Sequence, residues 1–221
     1  MEKDILSINS KSNLRLRLLD QCFKYSRTHL GSAFSSLEII NEVYAKMKAG
    51  DRFVLSNGHA AAALFVVLEK YKNIDSSIYF ETMGDHPKRN KELAIDCSTG
   101  SLGMGITAAA GMAIGNENIN VYCLVSDGEC AEGSVWETLR FMGKKNLRNF
   151  HVYFNLNGWS AYDEVDTRIL ADQIISFFPN ANLRFTNLFP FDEEGLAAHY
   201  LKMSEDVYLS ARRKICEENL R

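Results

Sequence analysis

Two short polar segments, each directly after an apolar run, could hold a metal ion and a diphosphate. The segment SDGE at 126–129 follows VYCLV, and NLNG at 155–158 follows HVYF. Asp127 supplies a carboxylate oxygen, and Asn157 supplies an amide oxygen. Mg²⁺ is usually held by one or two side-chain oxygens and the phosphates of its ligand, and Ca²⁺ also takes oxygen ligands. The pair predicts such a site, although Asp-Gly by itself is more typical of an ordinary turn.

The stretch between these segments predicts the elements that position them. GSVWETLRFMGKK at 133–145 is typical of a helix, so the order is strand, turn, helix, strand, turn. In such a βαβ unit both turns lie at the carboxyl ends of neighbouring parallel strands, where open α/β sheets bind ligands. Gly128 and Gly158 would let the backbone approach a ligand closely.

The chain as a whole, residues 1–221, predicts a single α/β domain with three layers, α/β/α, around a mainly parallel sheet. An amphipathic helix is predicted at about 5–26, and a second near 36–48 with Ser35 or Ser36 as its cap. Further helices are predicted over GHAAAALFVVLEKYK, GSLGMGITAAAGMAIG, DEEGLAAHYLKM and SEDVYLSARRKI, and a further strand over LRFTNL at 183–188.

Composition excludes several classes of protein. The 221 residues are 46% hydrophobic and 24% charged, which is ordinary for a globular domain. The net charge of −3 gives no electrostatic reason to expect a nucleic-acid partner. No apolar run is long enough to span a membrane, and the first residues lack the apolar core of a signal peptide. Five cysteines without metal-type spacing favour free thiols, so we expect a cytoplasmic protein. Cys130, beside the proposed site, is expected to have a packing role and not to act as a nucleophile.

Five segments, in order over roughly residues 10–160, resemble the transketolase family. They are HLGS at 29–32, DRFVLSNGHAA at 51–61, GDHP at 84–87 with STGSLGMG at 98–105, SDGECAEGSVWE at 126–137, and FNLNGW at 154–159. The last two resemble the thiamine-diphosphate motif, GDG followed about thirty residues later by Asn. The resemblance implies thiamine diphosphate with Mg²⁺ or Ca²⁺, and transfer of a two-carbon ketol unit from a ketose, or a ketose phosphate, to an aldehyde.

The resemblance also implies a role for each matching residue. Asp127, Asn157 and the carbonyl of Trp159 would hold the metal ion. His29 and His86 would handle protons and hydroxyls of the sugar, because imidazole titrates near neutral pH. The residues that would bind the cofactor are His59, Gly100, Ser101, Leu102, Ser126, Asp127, Gly128 and Asn157.

Simpler roles are open for several of these residues. The glycines at 100–103 would equally suit a tightly packed helix entry, and a lone histidine is more often structural than catalytic. Three of the five histidines fall at family positions, which favours a site, whereas His151 and His199 are expected to be structural.

Two glutamates after Asp127 are expected to behave differently. By resemblance, Glu132 would join a network at a subunit interface and reach the activating glutamate of a second domain, and we count it with the catalytic residues. Its place early in a helix is also favoured by the helix dipole alone. Glu129 is expected to face solvent.

The resemblance covers only the diphosphate-binding half of a transketolase. The pyrimidine-binding domain is expected on a separate chain, in an α2β2 assembly that acts on sugars or sugar phosphates. Ser126 replaces a glycine, Leu30 replaces a proline, Asp85 precedes His86, and the histidine usual after the metal segment is missing. The sequence therefore leaves the identity of the sugar donor undecided. A deoxyxylulose-phosphate-synthase-like or 2-oxoacid-decarboxylating enzyme, or a non-catalytic subunit, is the alternative.

Overall fold

The computed structural model describes residues 11–187, 190–191, 197 and 201–218, which form helices around a parallel sheet. The helices of this part of the chain are α1 (Lys11–Lys24), α2 (Leu30–Lys46), α3 (Ala61–Lys72), α4 (Ser76–Thr82), α5 (Met104–Gly115), α6 (Gly133–Lys145), α7 (Thr167–Phe177) and α8 (Glu205–Glu218). The strands are β1 (Arg52–Leu55), β2 (Val121–Ser126), β3 (Phe150–Leu156) and β4 (Asn182–Phe185). Two 3₁₀ turns, Gly58–Ala60 and Gly128–Ala131, follow β1 and β2.

The four strands pair side by side in the order β1-β2-β3-β4, and every pair is parallel. Leu55 pairs with Leu124, and Ser126 pairs with Asn155. The carboxyl ends of β1, β2 and β3 therefore meet at one edge of the sheet. This is the arrangement that the two polar segments predict.

Side chains alternate across the sheet and create two apolar cores. Phe53 and Leu55 pack on one face, with α1, α2, α3 and α8. Val54 packs on the other face, with α5, α6 and α7. Because helices cover both faces, β2 is buried along its whole length. The predicted three-layer α/β/α fold is confirmed.

Helix α2 starts earlier than predicted. It begins at Leu30, directly after His29, whose φ of 59° is left-handed. Ser35 and Ser36 are buried inside the helix rather than capping it. Their hydroxyl groups accept hydrogen bonds from asparagines at the strand ends, a role that helix patterning cannot reveal.

Three short elements, β1, α4 and α7, were not predicted. The four residues of β1 give too short an apolar run to identify a strand. Helices α4 and α7 each follow an aspartate whose side chain caps the first turn: Asp75 accepts from the backbone of Ser77, and Asp166 accepts from Arg168 and Ile169. Such capping was a signal available in the sequence.

The other predicted elements agree with the structure where it describes them. Helices α1, α3, α5 and α6 lie in the predicted stretches, α8 begins in the predicted stretch and ends three residues after it, and β4 covers the first part of LRFTNL. Residues 5–10, most of DEEGLAAHYLKM, and His199 lie outside the described residues. All five cysteines are free thiols. In the part of the chain that the structure describes, no helix combines the length and apolar character needed to cross a membrane.

Candidate functional site

A cavity of about 200 Å³ lies at the carboxyl edge of the sheet, where β1, β2 and β3 end. It is lined by His29, Ser32, His59, His86, Gly100, Leu102, Ser126, Gly128, Asn157, Trp159, Ser160 and Ala161. These residues come from six stretches of the sequence that the fold brings to one edge of the sheet. Ligands of open α/β sheets bind at this edge.

Asp127 lies beneath the cavity as a buried carboxylate, only 2% exposed. Its Oδ2 accepts hydrogen bonds from the backbone N–H groups of Asn157 (2.8 Å) and Gly158 (2.7 Å), and its Oδ1 accepts from Gly128 (3.0 Å). Burial raises its pKa to about 6, against the opposing effect of these hydrogen bonds. Among the described residues no basic side chain forms an ion pair with it. A nearby cation would favour its charged form, so this carboxylate fits a metal ligand.

Asn157 is held by both ends of its side-chain amide. Its Nδ2 donates to Ser35 Oγ (3.2 Å), and its Oδ1 accepts from the backbone N–H of Trp159 (3.0 Å). The backbone N–H of Trp159 can only donate, so the side-chain atom that faces it is the oxygen, which assigns the orientation of the amide. A carbonyl oxygen has two lone pairs, so Oδ1 can accept from Trp159 and still bind a cation.

The segment after Asn157 folds back over the turn at Asp127. Trp159 pairs with Glu164 in an antiparallel bridge, which closes a small hairpin. A Cβ atom on Gly128 would lie 3.1 Å from Ser160 Cα and 3.7 Å from the carbonyl oxygen of Trp159. Gly128 therefore lets the backbone of Ser160, directly after Trp159, approach the turn that carries the carboxylate.

The donor set of this site is suited to a hard cation. Asp127, Asn157 and the carbonyl of Trp159 offer oxygen atoms of three kinds, as Mg²⁺ and Ca²⁺ prefer. The described residues contain no cluster of three or more His, Cys, Asp or Glu side chains that could bind a metal. A metal ion at this edge would thus depend on amide, carbonyl and ligand oxygens as well as on the one carboxylate.

Three histidines surround the cavity. The ring centroids of His29 and His59 are 5.5 Å apart, and Nδ1 of His29 lies 3.1 Å from the hydroxyl of Thr28. Burial lowers the pKa of His29, an effect that the charge of Asp85 partly opposes. This shift favours the neutral imidazole, which is the form that can accept a proton. His59 lies in the 3₁₀ turn that leads into α3.

The loop that carries Gly100 packs tightly against the ring of His86 and against the turn after β1. The φ of Gly100 is +152°, and a Cβ atom there would lie 2.9 Å from the His86 ring. A Cβ atom on Gly58 would in turn lie 2.8 Å from the backbone nitrogen of Gly100. The hydroxyl of Thr99 donates to the carbonyl of Leu55 (2.6 Å), which ties the loop to the end of β1.

Comparison with known protein families shows which family this domain belongs to. The profile of the family described as "Transketolase, thiamine diphosphate binding domain" matches residues 8–182. The chain belongs to this family.

Relatives of this transketolase domain differ in how much of their length it matches. Mouse Transketolase-like protein 2 is 41% identical over 119 residues, which are 48% of this chain and 19% of that protein. Mouse transketolase is 39% identical over 118 residues, with the same two shares. The 6-deoxy-6-sulfo-D-fructose transketolase subunit of Clostridium sp. (strain MSTE9) is 28% identical over 178 residues, 71% of this chain and 65% of that subunit.

Solved structures match the fold of the transketolase domain. Transketolase from Campylobacter jejuni superposes with a TM-score of 0.64 at 20% identity, covering 90% of this chain and 43% of that one. Transketolase from Leishmania mexicana gives a TM-score of 0.62 at 19% identity, over 94% of this chain and 44% of that one. The chain thus spans less than half the length of these proteins.

Most of the predicted site residues of the transketolase domain line the cavity, but three do not. Asp127 lies just beneath it, whereas Ser101 and Glu132 are exposed outside it. Glu132 immediately precedes α6, as its N-cap. Three lining residues were not predicted: Ser32, Ser160 and Ala161. The position of Ser32, one helical turn after His29, was the signal for it.

One expectation about the transketolase domain was wrong. Glu129, expected to face solvent, is completely buried. The 3₁₀ turn after Asp127 directs the side chain of Glu129 into the interior, where it accepts a hydrogen bond from the backbone N–H of Ser126. Cys130 is buried as expected, and burial raises the pKa of its thiol. His151 bonds Asn120 and stacks on Tyr122, in keeping with its expected structural role.

Proposed function

We propose that this chain binds thiamine diphosphate with Mg²⁺, or Ca²⁺, at the carboxyl edge of its sheet. The observation that carries the proposal is the buried Asp127 beside Asn157 and the Trp159 carbonyl, directly under a cavity in a domain of this family. These three groups would hold the metal ion. Ser126 and Gly128 would face the diphosphate, as the cavity lining supports.

The remaining cofactor contacts would come from the other side of the cavity. His59 stands where the 3₁₀ turn enters α3, whose first N–H groups favour an anion. Gly100 and Leu102 line the cavity, and Ser101, which is exposed beside them, would contribute through its main chain.

We further propose that the chain takes part in transketolase chemistry, the transfer of a two-carbon ketol unit from a ketose or ketose phosphate to an aldehyde. Bound thiamine diphosphate would supply carbanion chemistry at a carbonyl carbon. His29 and His86 would bind the sugar hydroxyls and move protons, and the lowered pKa of His29 favours the neutral imidazole that such a role needs.

A second polypeptide or domain would complete the site. The cavity of about 200 Å³ is smaller than the roughly 300–1,000 Å³ typical of sites that enclose a ligand of drug size. The chain matches less than half of the Campylobacter jejuni and Leishmania mexicana transketolases. We propose that a partner subunit supplies the pyrimidine-binding half in an α2β2 assembly. The exposed Glu132 would contact it.

Calorimetry tests the metal and cofactor assignment. Titration with thiamine diphosphate and Mg²⁺ should show binding by the wild type and at least tenfold weaker binding by Asp127→Asn. Asp172→Asn, an exposed aspartate of α7, is the matched control and should bind like the wild type. Equal affinity of Asp127→Asn and the wild type would refute the metal site.

Purification of the tagged chain from its own cells tests the assembly and the reaction. A stoichiometric partner with a pyrimidine-binding domain is expected, and the complex should release products of ketol transfer from ketose phosphates. Products formed only from pyruvate would instead indicate a synthase or decarboxylase. A stable complex that neither binds cofactor nor reacts would indicate a non-catalytic subunit.

A further inference from the structure

Glu129 is a buried carboxylate, and the proposed contacts with the cofactor do not include it. Its side chain is 0% exposed and lies outside the cavity lining. Oε1 accepts hydrogen bonds from Ser56 Oγ (2.7 Å) and from the backbone N–H of Gly103 (2.9 Å). Oε2 accepts from the backbone N–H of Ser126 (3.0 Å).

The three donors belong to three separate segments, and each segment leads into the cavity. Ser56 follows β1 and precedes the turn with His59. Gly103 ends the loop that contains Gly100 and Leu102. Ser126 ends β2 and lines the cavity itself. One side chain therefore joins the three segments that would surround the diphosphate.

Only an acceptor with two free oxygens satisfies all three donors. The backbone N–H groups of Gly103 and Ser126 can only donate. Ser56 Oγ accepts from the backbone N–H of Ile106 (3.2 Å), so its own hydrogen is directed to Glu129. A carboxylate accepts at both oxygens, whereas an amide has one oxygen and one NH₂ group. Glutamine therefore cannot replace this carboxylate without leaving a donor unpaired.

The loop that Glu129 holds has little room to settle elsewhere. A Cβ atom on Gly105 would lie 2.5 Å from Ser56 Cα, and one on Gly103 would collide with the side chains of Ser134 and Glu132. The start of α5 therefore packs directly on Ser56, the residue after β1, and the end of the loop packs on side chains at the start of α6. The position of the loop depends on a close fit in which the Glu129 hydrogen bonds act together with those of Thr99 to Leu55 and of Ser134 to Gly103.

We propose that Glu129 is a positioning residue that holds the loop 100–103 against the ends of β1 and β2, in the form that receives the cofactor. That this form of the loop receives the cofactor rests on the proposed function. That Glu129 holds the loop does not. Glu129 acts through backbone groups and touches neither substrate nor cofactor.

The variant Glu129→Gln tests the proposal, because it keeps the size of the side chain. In either orientation of its amide, at least one backbone N–H loses its acceptor, which is costly for a buried group. Hydrogen exchange of the cofactor-free chain should be on the order of tenfold faster at residues 100–104, with the amides of β3 unchanged. The dissociation constant for thiamine diphosphate with Mg²⁺ should rise by a similar factor.

Two controls separate positioning from a general loss of stability. Glu137→Gln changes an exposed glutamate of α6 and should alter neither measurement. Ile174→Val removes a methyl group from the core on α7, away from the loop. Its melting temperature should fall while exchange at 100–104 and cofactor affinity remain as in the wild type.

The outcomes are distinct. Unchanged exchange at 100–104 in Glu129→Gln, or a change no larger than in Ile174→Val, overturns the proposal. If Glu129→Gln does not fold, Ser56→Ala removes one of the three donors and should speed exchange in the same segment by a smaller factor; no change there also overturns it. If the wild-type chain binds no thiamine diphosphate even when assembled with its partner subunit, the proposed function fails, and the exchange data still decide whether Glu129 holds the loop.

Discussion

Gly100 and His86 are packed so closely that the glycine has no room for a side chain. Gly100→Ala would place a methyl group 2.9 Å from the His86 ring, at a φ of +152° that is strained for alanine. We expect His86 to be displaced and the affinity for thiamine diphosphate to fall at least tenfold, as measured by calorimetry.

A glycine elsewhere offers the control for this change. Gly111 lies in α5, and no atom lies within 4 Å of a Cβ built on it. Gly111→Ala should raise the free energy of unfolding by about 0.5–1 kcal/mol, because alanine is the better helix former. It should leave cofactor affinity unchanged. Equal affinities of the two variants would show that the close contact at Gly100 has no bearing on binding.

Helix α2 is joined to the sheet by hydroxyl groups. Ser35 Oγ accepts from the side-chain amides of Asn155 (2.8 Å) and Asn157 (3.2 Å). Ser35→Ala removes this acceptor from two buried or half-buried amides and should lower the free energy of unfolding by about 1–3 kcal/mol. The freed Asn157 should also raise the Mg²⁺ concentration needed for half-maximal binding of thiamine diphosphate.

The matched variant for this element is Ser176→Ala, which changes an exposed serine of α7. It should leave the Mg²⁺ requirement unchanged. It should change the free energy of unfolding by no more than about 0.5 kcal/mol, the usual range for surface positions. If Ser35→Ala lowers stability and leaves the Mg²⁺ requirement as it was, the orientation of Asn157 does not depend on α2.

An ion pair between α2 and β4 predicts a pH dependence of stability. Arg184 binds Glu42 through two hydrogen bonds of 2.9 and 2.7 Å. This contact, with a smaller contribution from Lys46, lowers the pKa of Glu42 from its ordinary 4.5 to about 2. A lowered pKa in the folded state means that the stabilisation is complete above pH 4.5 and is lost as the pH falls toward 2.

The variant Arg184→Ala tests this ion pair. The pair is partly exposed, so the loss at pH 7 should be about 1 kcal/mol, and urea unfolding should show that it shrinks toward zero near pH 2–3. Arg140→Ala, an exposed arginine of α6, should cost less and should show no such pH dependence. A difference between wild type and Arg184→Ala that is constant from pH 7 to pH 3 would contradict the role of the ion pair.

For the molecule as a whole, the proposed ligand should stabilise the folded chain. At a concentration one hundred times its dissociation constant, a ligand adds about 2.7 kcal/mol to the free energy of unfolding. For a chain of this size that corresponds to a rise in melting temperature of roughly 5–10 °C. Thermal unfolding with thiamine diphosphate and Mg²⁺ should show this rise, and a chelator should abolish it. A rise that persists with chelator would contradict a metal-dependent site.

Some features of this protein follow from sequence patterns alone. Apolar runs followed by polar turns indicated β2 and β3, and they placed Asp127 and Asn157 at neighbouring strand ends. The ordered motifs indicated the family, which comparison confirms over residues 8–182. Local patterns suffice here because the alternation of elements in a βαβ unit determines which ends of the strands meet.

Other features were decided only by the tertiary structure. The same four-residue segment holds Asp127 beneath the cavity and Glu129 in the interior, and no local pattern distinguished the second from a surface glutamate. The early start of α2, which brings Ser32 to the cavity and Ser35 to Asn157, likewise escaped prediction. The reason is physical. The burial of a polar side chain depends on donors contributed by distant segments, such as Ser56 and Gly103, and these meet only when the helices pack on the sheet.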